Sequence, residues 1–92
     1  MVNSRYLELR VGNKTYTNQR EISNLLISKG FSWIVNSTIE DAVLEIRRET
    51  LIWHSGLFLE GDWHYGIFKD GRFCGNWIAG VFEAGVFDVT QA

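Results

Sequence analysis

The sequence reads as an α+β chain whose second half is assembled from very short β-strands. An alternating run near the start leads into a capped amphipathic segment, and two β-branched runs then flank residues 47–49. A five-residue repeat of aromatics and glycines occupies the rest. Its eight aromatics run from Trp53 to Phe87.

The 92 residues suffice for one domain, read here as an α+β part over 1–37 and a β-repeat part over 38–92 that share a core. Hydrophobic residues at 46% and charged ones at 22% exclude wholesale disorder. A net charge of −2 offers no basic footprint and argues against duplex DNA as a partner. One cysteine excludes an internal disulfide framework, and no apolar run approaches a membrane span, so the expected compartment is the cytoplasm. Residues 1–50 carry +1 and residues 51–92 carry −3, and the latter hold seven of the nine glycines and nine of the thirteen aromatics.

Tyr6-Leu-Glu-Leu-Arg-Val11 alternates as a strand should, and Gly12-Asn13-Lys14 turns it into a second strand at Thr15-Tyr16-Thr17. Asn18 and Glu21 form a capping box ahead of Ile22, Leu25, Leu26 and Lys29 at helical spacing, with Gly30 as a left-handed stop. Phe31-Ser-Trp-Ile-Val35 reads as a buried strand, which gives strand–turn–strand–helix–strand. For residues 37–49 a helix is one reading, since Ile39, Ala42, Val43 and Ile46 follow helical spacing and Ser37 with Glu40 would cap it. The favoured reading is a hairpin turned at Arg47-Arg48-Glu49, because its second arm, Thr50-Leu-Ile-Trp53, runs straight into the repeat.

The pentads are WHSGL, FLEGD, WHYGI, FKDGR, a short FCGN, WIAGV, FEAGV and FDVTQ. Trp53, Phe58, Trp63, Phe68, Phe73, Trp77, Phe82 and Phe87 fill one slot, and Gly56, Gly61, Gly66, Gly71, Gly80 and Gly85 follow three residues behind. A period of five is neither that of a helix nor that of a strand, so the chain must turn a corner in each pentad, with glycine bending the backbone and the ring buried. Burying eight rings at about 150–250 Å² each would make this row most of the core. Two windings satisfy the arithmetic: a twisted meander of short antiparallel strands, which is favoured, or a β-solenoid with one pentad per face. The four-residue step from Phe73 to Trp77 marks a bulge or a corner.

The stretch from Thr50 to Phe73, with the lead-in Ile39–Trp53, resembles the tandem aromatic-x-x-Gly-x arrays of small bacteriophage and bacterial proteins of uncharacterised activity. It is loosely similar to membrane-occupation-and-recognition (MORN) repeats, and more distantly to pentapeptide-repeat solenoids. The resemblance implies a phage-encoded accessory protein that binds and inhibits a host protein in the host cell cytoplasm, as counter-defence or takeover factors do.

The residues supply little catalytic chemistry. His54, His64, Cys74 and Glu83 are zinc-ligand types nearly ten apart, but either winding separates them, so no metal and no cofactor is expected. The same separation denies Cys74 a histidine partner, and Glu60, Asp62, Asp70, Glu83 and Asp88 read as a solvated acidic face. The expectation is therefore a non-enzymatic binding module. Leu57, Leu59, Tyr65, Ile67, Ile78 and Val81 lie off the ring slot and form the candidate partner-binding patch, for a host protein or for self-association. Alternatives are an oligomeric sponge that holds a nucleotide or other small signal in aromatic pockets, a structural assembly subunit, and a single-strand binder using exposed rings with Arg47, Arg48 and Arg72.

Overall fold

The structure, a computed structural model, describes residues 4–88. Strand β1 (Ser4–Val11) turns through Gly12 and Asn13 into β2 (Lys14–Tyr16), its antiparallel partner. Helix α1 (Gln19–Ser28) begins where the Asn18 side chain accepts the N–H groups of Arg20 and Glu21 at 3.0 and 3.1 Å, and Gly30 ends that segment at φ +92°. Ile22 and Leu26 are its fully buried side chains.

The strand expected at Phe31–Val35 is instead a one-turn helix, α2 (Ser32–Val35). Phe31, Ile34 and Val35 are buried and Ser32 and Asn36 exposed, which is the i, i+3, i+4 spacing of a helix rather than the alternation of a strand. The turn closes with Ser37 Oγ donating to the Trp33 carbonyl at 2.8 Å.

Residues 37–49 do not form the alternative helix. Strand β3 (Thr38–Arg47) lies parallel to β1 and antiparallel to β4 (Thr50–Glu60), and the connection runs through Arg48 and Glu49, both at positive φ. The α+β class, the hairpin and the following run of short strands are thus as the sequence predicts.

Within β4, Trp53 and Phe58 are five apart and would face opposite sides of a flat strand. A corner at Gly56 (φ +122°) sends both rings inward. β3 turns with it: Asp41 and Ala42 bulge opposite Gly56, with Asp41 at φ +54°, and a Cβ on Gly56 would lie 2.7 Å from the Cα of Ala42. β4 is therefore both a sheet strand and the first part of a coil.

The short strands β5 (Asp62–Trp63), β6 (Ile67–Phe68), β7 (Arg72–Phe73), β8 (Asn76–Trp77), β9 (Val81–Phe82) and β10 (Val86–Phe87) wind as the solenoid alternative does. Neighbours in sequence do not pair. Instead β6 and β7 pair in parallel with the two halves of β4, β8 with β5, β9 with β6 and β10 with β7. Three pentads make one coil, so Ile52 faces Ile67, 15 residues on. The short FCGN unit cuts the next coil to 14, so Ile67 faces Val81.

Each ring consequently stacks on the ring one coil away. Phe68 lies 5.4 Å from Trp53 and 5.0 Å from Phe82, Phe73 lies 4.7 Å from Phe58 and 5.4 Å from Phe87, and Trp77 lies 5.4 Å from Trp63, all with planes within 24° of parallel. Around the coil axis, contacts are edge-to-face, as at Phe58–Trp63 (6.1 Å, 77°) and Phe82–Phe87 (5.1 Å, 83°). Such pairs contribute about 0.5–1.5 kcal/mol each beyond the area they bury. Trp53, Phe58, Trp63, Phe68 and Phe73 are completely buried and share one cluster with Leu9, Leu26, Ile34 and Leu44. Trp77 and Phe82 are partly buried, and Phe87 is 48% exposed.

The glycine slot makes the coils stack. All six of its members have φ between +110° and +127°, and a Cβ on Gly80 would lie 2.6 Å from the carbonyl oxygen of Gly66, one coil below. At Gly71 a Cβ would collide with the Gly56 carbonyl and stand 3.1 Å from Trp53 Nε1. Gly71→Ala is expected to cost at least about 3 kcal/mol, from backbone strain and coil separation together. Gly12→Ala, also at positive φ but with open space around it, should cost about 1 kcal/mol. Chemical denaturation of both variants checks the difference, and equal losses would contradict the stacked corners.

Candidate binding surface

The coil has three walls, and the wall on which an outward side chain sits follows from its pentad. The first half of β4 with β6 and β9 forms one, the second half of β4 with β7 and β10 another, and β5 with β8 the third. The candidate patch is thereby divided. Ile67 and Val81 are in-register neighbours on the first wall, Leu57 and Leu59 flank Phe58 on the second, and Ile78 follows Trp77 on the third. Tyr65 packs 5.5 Å from Phe31 and 5.6 Å from Trp33, and its hydroxyl donates to the Gly30 carbonyl at 3.2 Å. It helps lock α2 to the coil.

Apolar side chains are well exposed in the last coil, as Leu7 and Ile27 also are in the N-terminal part. Ile78, Val81 and Val86 are 53%, 54% and 56% exposed. Val86 stands in register with Arg72 one coil below, so a charged outer position becomes apolar. Val86 is not among the candidate patch residues. The shared outward slot of Ile67, Arg72, Val81 and Val86, each one residue before a ring, was the available signal.

The zinc-ligand types are dispersed. His54 Nε2 and Glu45 Oε1 are 2.8 Å apart across the hairpin, whereas the His64 ring packs 5.6 Å from Trp33. Cys74 sits half-buried after Phe73, on another wall from either histidine. Among the described residues no three His, Cys, Asp or Glu side chains come close enough to hold a metal ion. Arg47 pairs with Glu45 and Arg72 with Asp88, so two of the arginines considered for base stacking are engaged with carboxylates, beside rings that point inward.

A hollow of about 410 Å³ opens between α2 and β5, lined by Ser32, Trp33, Asn36, Ser37, Gly61, Asp62 and His64. Its wall is part aromatic and part polar, and Asp62 also accepts from Asn76 Nδ2 at 3.2 Å. No helix of the described residues is long and apolar enough to cross a membrane.

Compared with protein-family models, curated proteins and solved structures, the chain matches none of them.

The best-defined electrostatic feature is Glu45. Its carboxyl is held below the usual carboxylate range, first by the hydrogen bond to His54 and then, against the opposing effect of burial, by Arg47. A lowered carboxyl contributes stability that is complete above its ordinary pKa and is lost as pH falls through the lowered value. Glu45→Gln should thus cost up to about 1 kcal/mol at neutral pH, since the pair is near the surface. Thermal melts of wild type and variant should converge on acidification. A pH-independent gap would contradict this role.

Proposed function

We propose that this protein is a non-enzymatic module that binds a protein partner on the outer walls of its last coil. The carrying observation is the change of an outer position from Arg72 to Val86 one coil on, with Val81 and Ile78 about half exposed on the two flanking walls. Uncovered apolar side chains at this density on so small a domain suit a contact that hides them. The finer reading, taken from the resemblance of the pentad array, is a phage-encoded accessory factor that binds and blocks a host protein in the host cytoplasm. The acidic character of residues 51–92 favours a partner with a basic rim.

Affinity capture from host lysate tests this with wild type and Val81→Glu side by side. A single stoichiometric protein retained by wild type and weakened at least about tenfold by Val81→Glu is the expected result, because a charge would be buried at the contact. Equal retention by both baits, or none by either, contradicts the reading.

The hollow beside α2 favours a second reading, a small-molecule sponge, because the Trp33 and His64 rings, 5.6 Å apart, line it together with Ser32, Asn36 and Asp62. Under it, one member of a nucleotide panel at about 100 times its Kd adds about 2.7 kcal/mol of stability. Trp33→Ala abolishes that gain. A flat thermal-shift response across the panel removes this reading.

A further inference from the structure

Six corners of the coil carry a glycine at positive φ, and the residue before it differs from one to the next: Ser55, Glu60, Tyr65, Asp70, Ala79 and Ala84. At the fourth of these the side chain and the glycine are bonded to each other, Gly71 N–H donating to Asp70 Oδ1 at 2.8 Å. Asp70 is exposed to water. The other aspartates, Asp41, Asp62 and Asp88, precede Ala42, Trp63 and Val89, so Asp70 is the one followed by glycine. The corner is held on both sides. Lys69 N–H donates to the Trp53 carbonyl at 2.8 Å, and the Gly71 carbonyl accepts Val86 N–H at 2.8 Å. Gly71 is also packed between two coils, since a Cβ on it would strike the Gly56 carbonyl and a Cβ on Gly85 would strike the Gly71 carbonyl.

We propose that Asp70–Gly71 is a site of spontaneous covalent modification, where the carboxyl closes on the Gly71 nitrogen and the ring reopens as an isoaspartyl linkage. This goes beyond the partner-binding reading and requires no partner. In the closing step the electron pair of the Gly71 nitrogen forms a bond to Asp70 Cγ. The hydrogen on that nitrogen and the hydroxyl of the carboxyl acid depart as one water, which leaves a five-membered imide. Water then adds to one of the two imide carbonyls. Breaking the new N–Cγ bond restores aspartate. Breaking the original peptide bond leaves the chain running through Cβ and Cγ, with the α-carboxylate free.

Three features select this corner. The hydrogen bond keeps the attacking nitrogen against the carboxyl, which is the proximity an intramolecular reaction needs. Glycine has no side chain to crowd the approach. Glu60, at the equivalent place before Gly61, is one carbon longer and would have to close a less favourable six-membered ring. The product also lies where it matters, because an extra backbone carbon enters the column of Gly56, Gly71 and Gly85 and disturbs the contacts between coils.

Ageing of the full chain for several weeks at neutral pH and physiological temperature tests the proposal. Peptide fragmentation and enzymatic carboxyl methylation of isoaspartate locate and count the product. A fraction one water lighter should appear, and isoaspartate at residue 70 should exceed that at Asp41 or Asp62 at least about tenfold. Asp70→Glu, which repeats the corner found at Glu60–Gly61, should fold and stay unmodified at residue 70. Asp70→Asn keeps the Oδ1 acceptor, closes the same ring with loss of ammonia, and should give isoaspartate at residue 70 faster than wild type. The aged wild type should melt below the fresh protein, while aged Asp70→Glu melts as its fresh sample does. Isoaspartate that forms only in a guanidinium-unfolded control, equal levels at all aspartates, an Asp70→Asn variant that retains its amide, or a modified fraction that melts like fresh protein would each overturn the proposal. None of these results bears on lysate capture through Val81, so the two proposals fail separately.

Discussion

The structure depends on the close approach of one coil to the next at the glycine corners. At those corners the backbone of one coil rests on a carbonyl of the coil below, in space that a Cβ would fill. This sets the coils near the spacing of parallel strands, which is also a spacing at which aromatic faces stack with some offset. The centroid distances of 4.7–5.4 Å within the ring columns follow from it. Glycine here does not simply permit a turn. It brings the coils close enough for the rings to act as a core, so the two slots of the pentad are one device.

The N-terminal part is the complement of that device. A solenoid cannot bury the first face of its first coil, and a cap is the usual remedy. Here β3 pairs with β4 around the corner at Gly56, while α2 seats Trp33 against Trp63. At the other end of the described residues Phe87 keeps nearly half its surface.

Much of this was legible in the sequence, and what was missed has definite causes. The aromatic spacing located the inward rings, the glycine spacing located the corners, and Asn18, Gly30 and the β-branched runs around Arg48 placed the capped helix and the hairpin. The winding was not legible from near-identical pentads, because one pentad does not reveal how many make a coil. Only the shortened FCGN unit leaves a trace, in the change of register from 15 to 14. That gap also explains the scattered patch: Leu57, Ile67 and Ile78 share a face on a flat sheet but fall on separate walls of a coil. The aromatic and β-branched residues of Phe31–Val35 suggest a strand, but Phe31, Ile34 and Val35 carry the helical spacing that the fold adopts.

The central claim is that each pentad pairs with the one three units along the chain, not with its neighbour. Scalar couplings across hydrogen bonds, measured by NMR on isotope-labelled protein, test it most directly. Couplings from the amide nitrogen of Lys69 to the carbonyl carbon of Trp53, from Cys74 to Phe58 and from Glu83 to Phe68 are the expected pattern. Couplings joining adjacent pentads, such as Phe58 with Trp63 or Phe68 with Phe73, would contradict it.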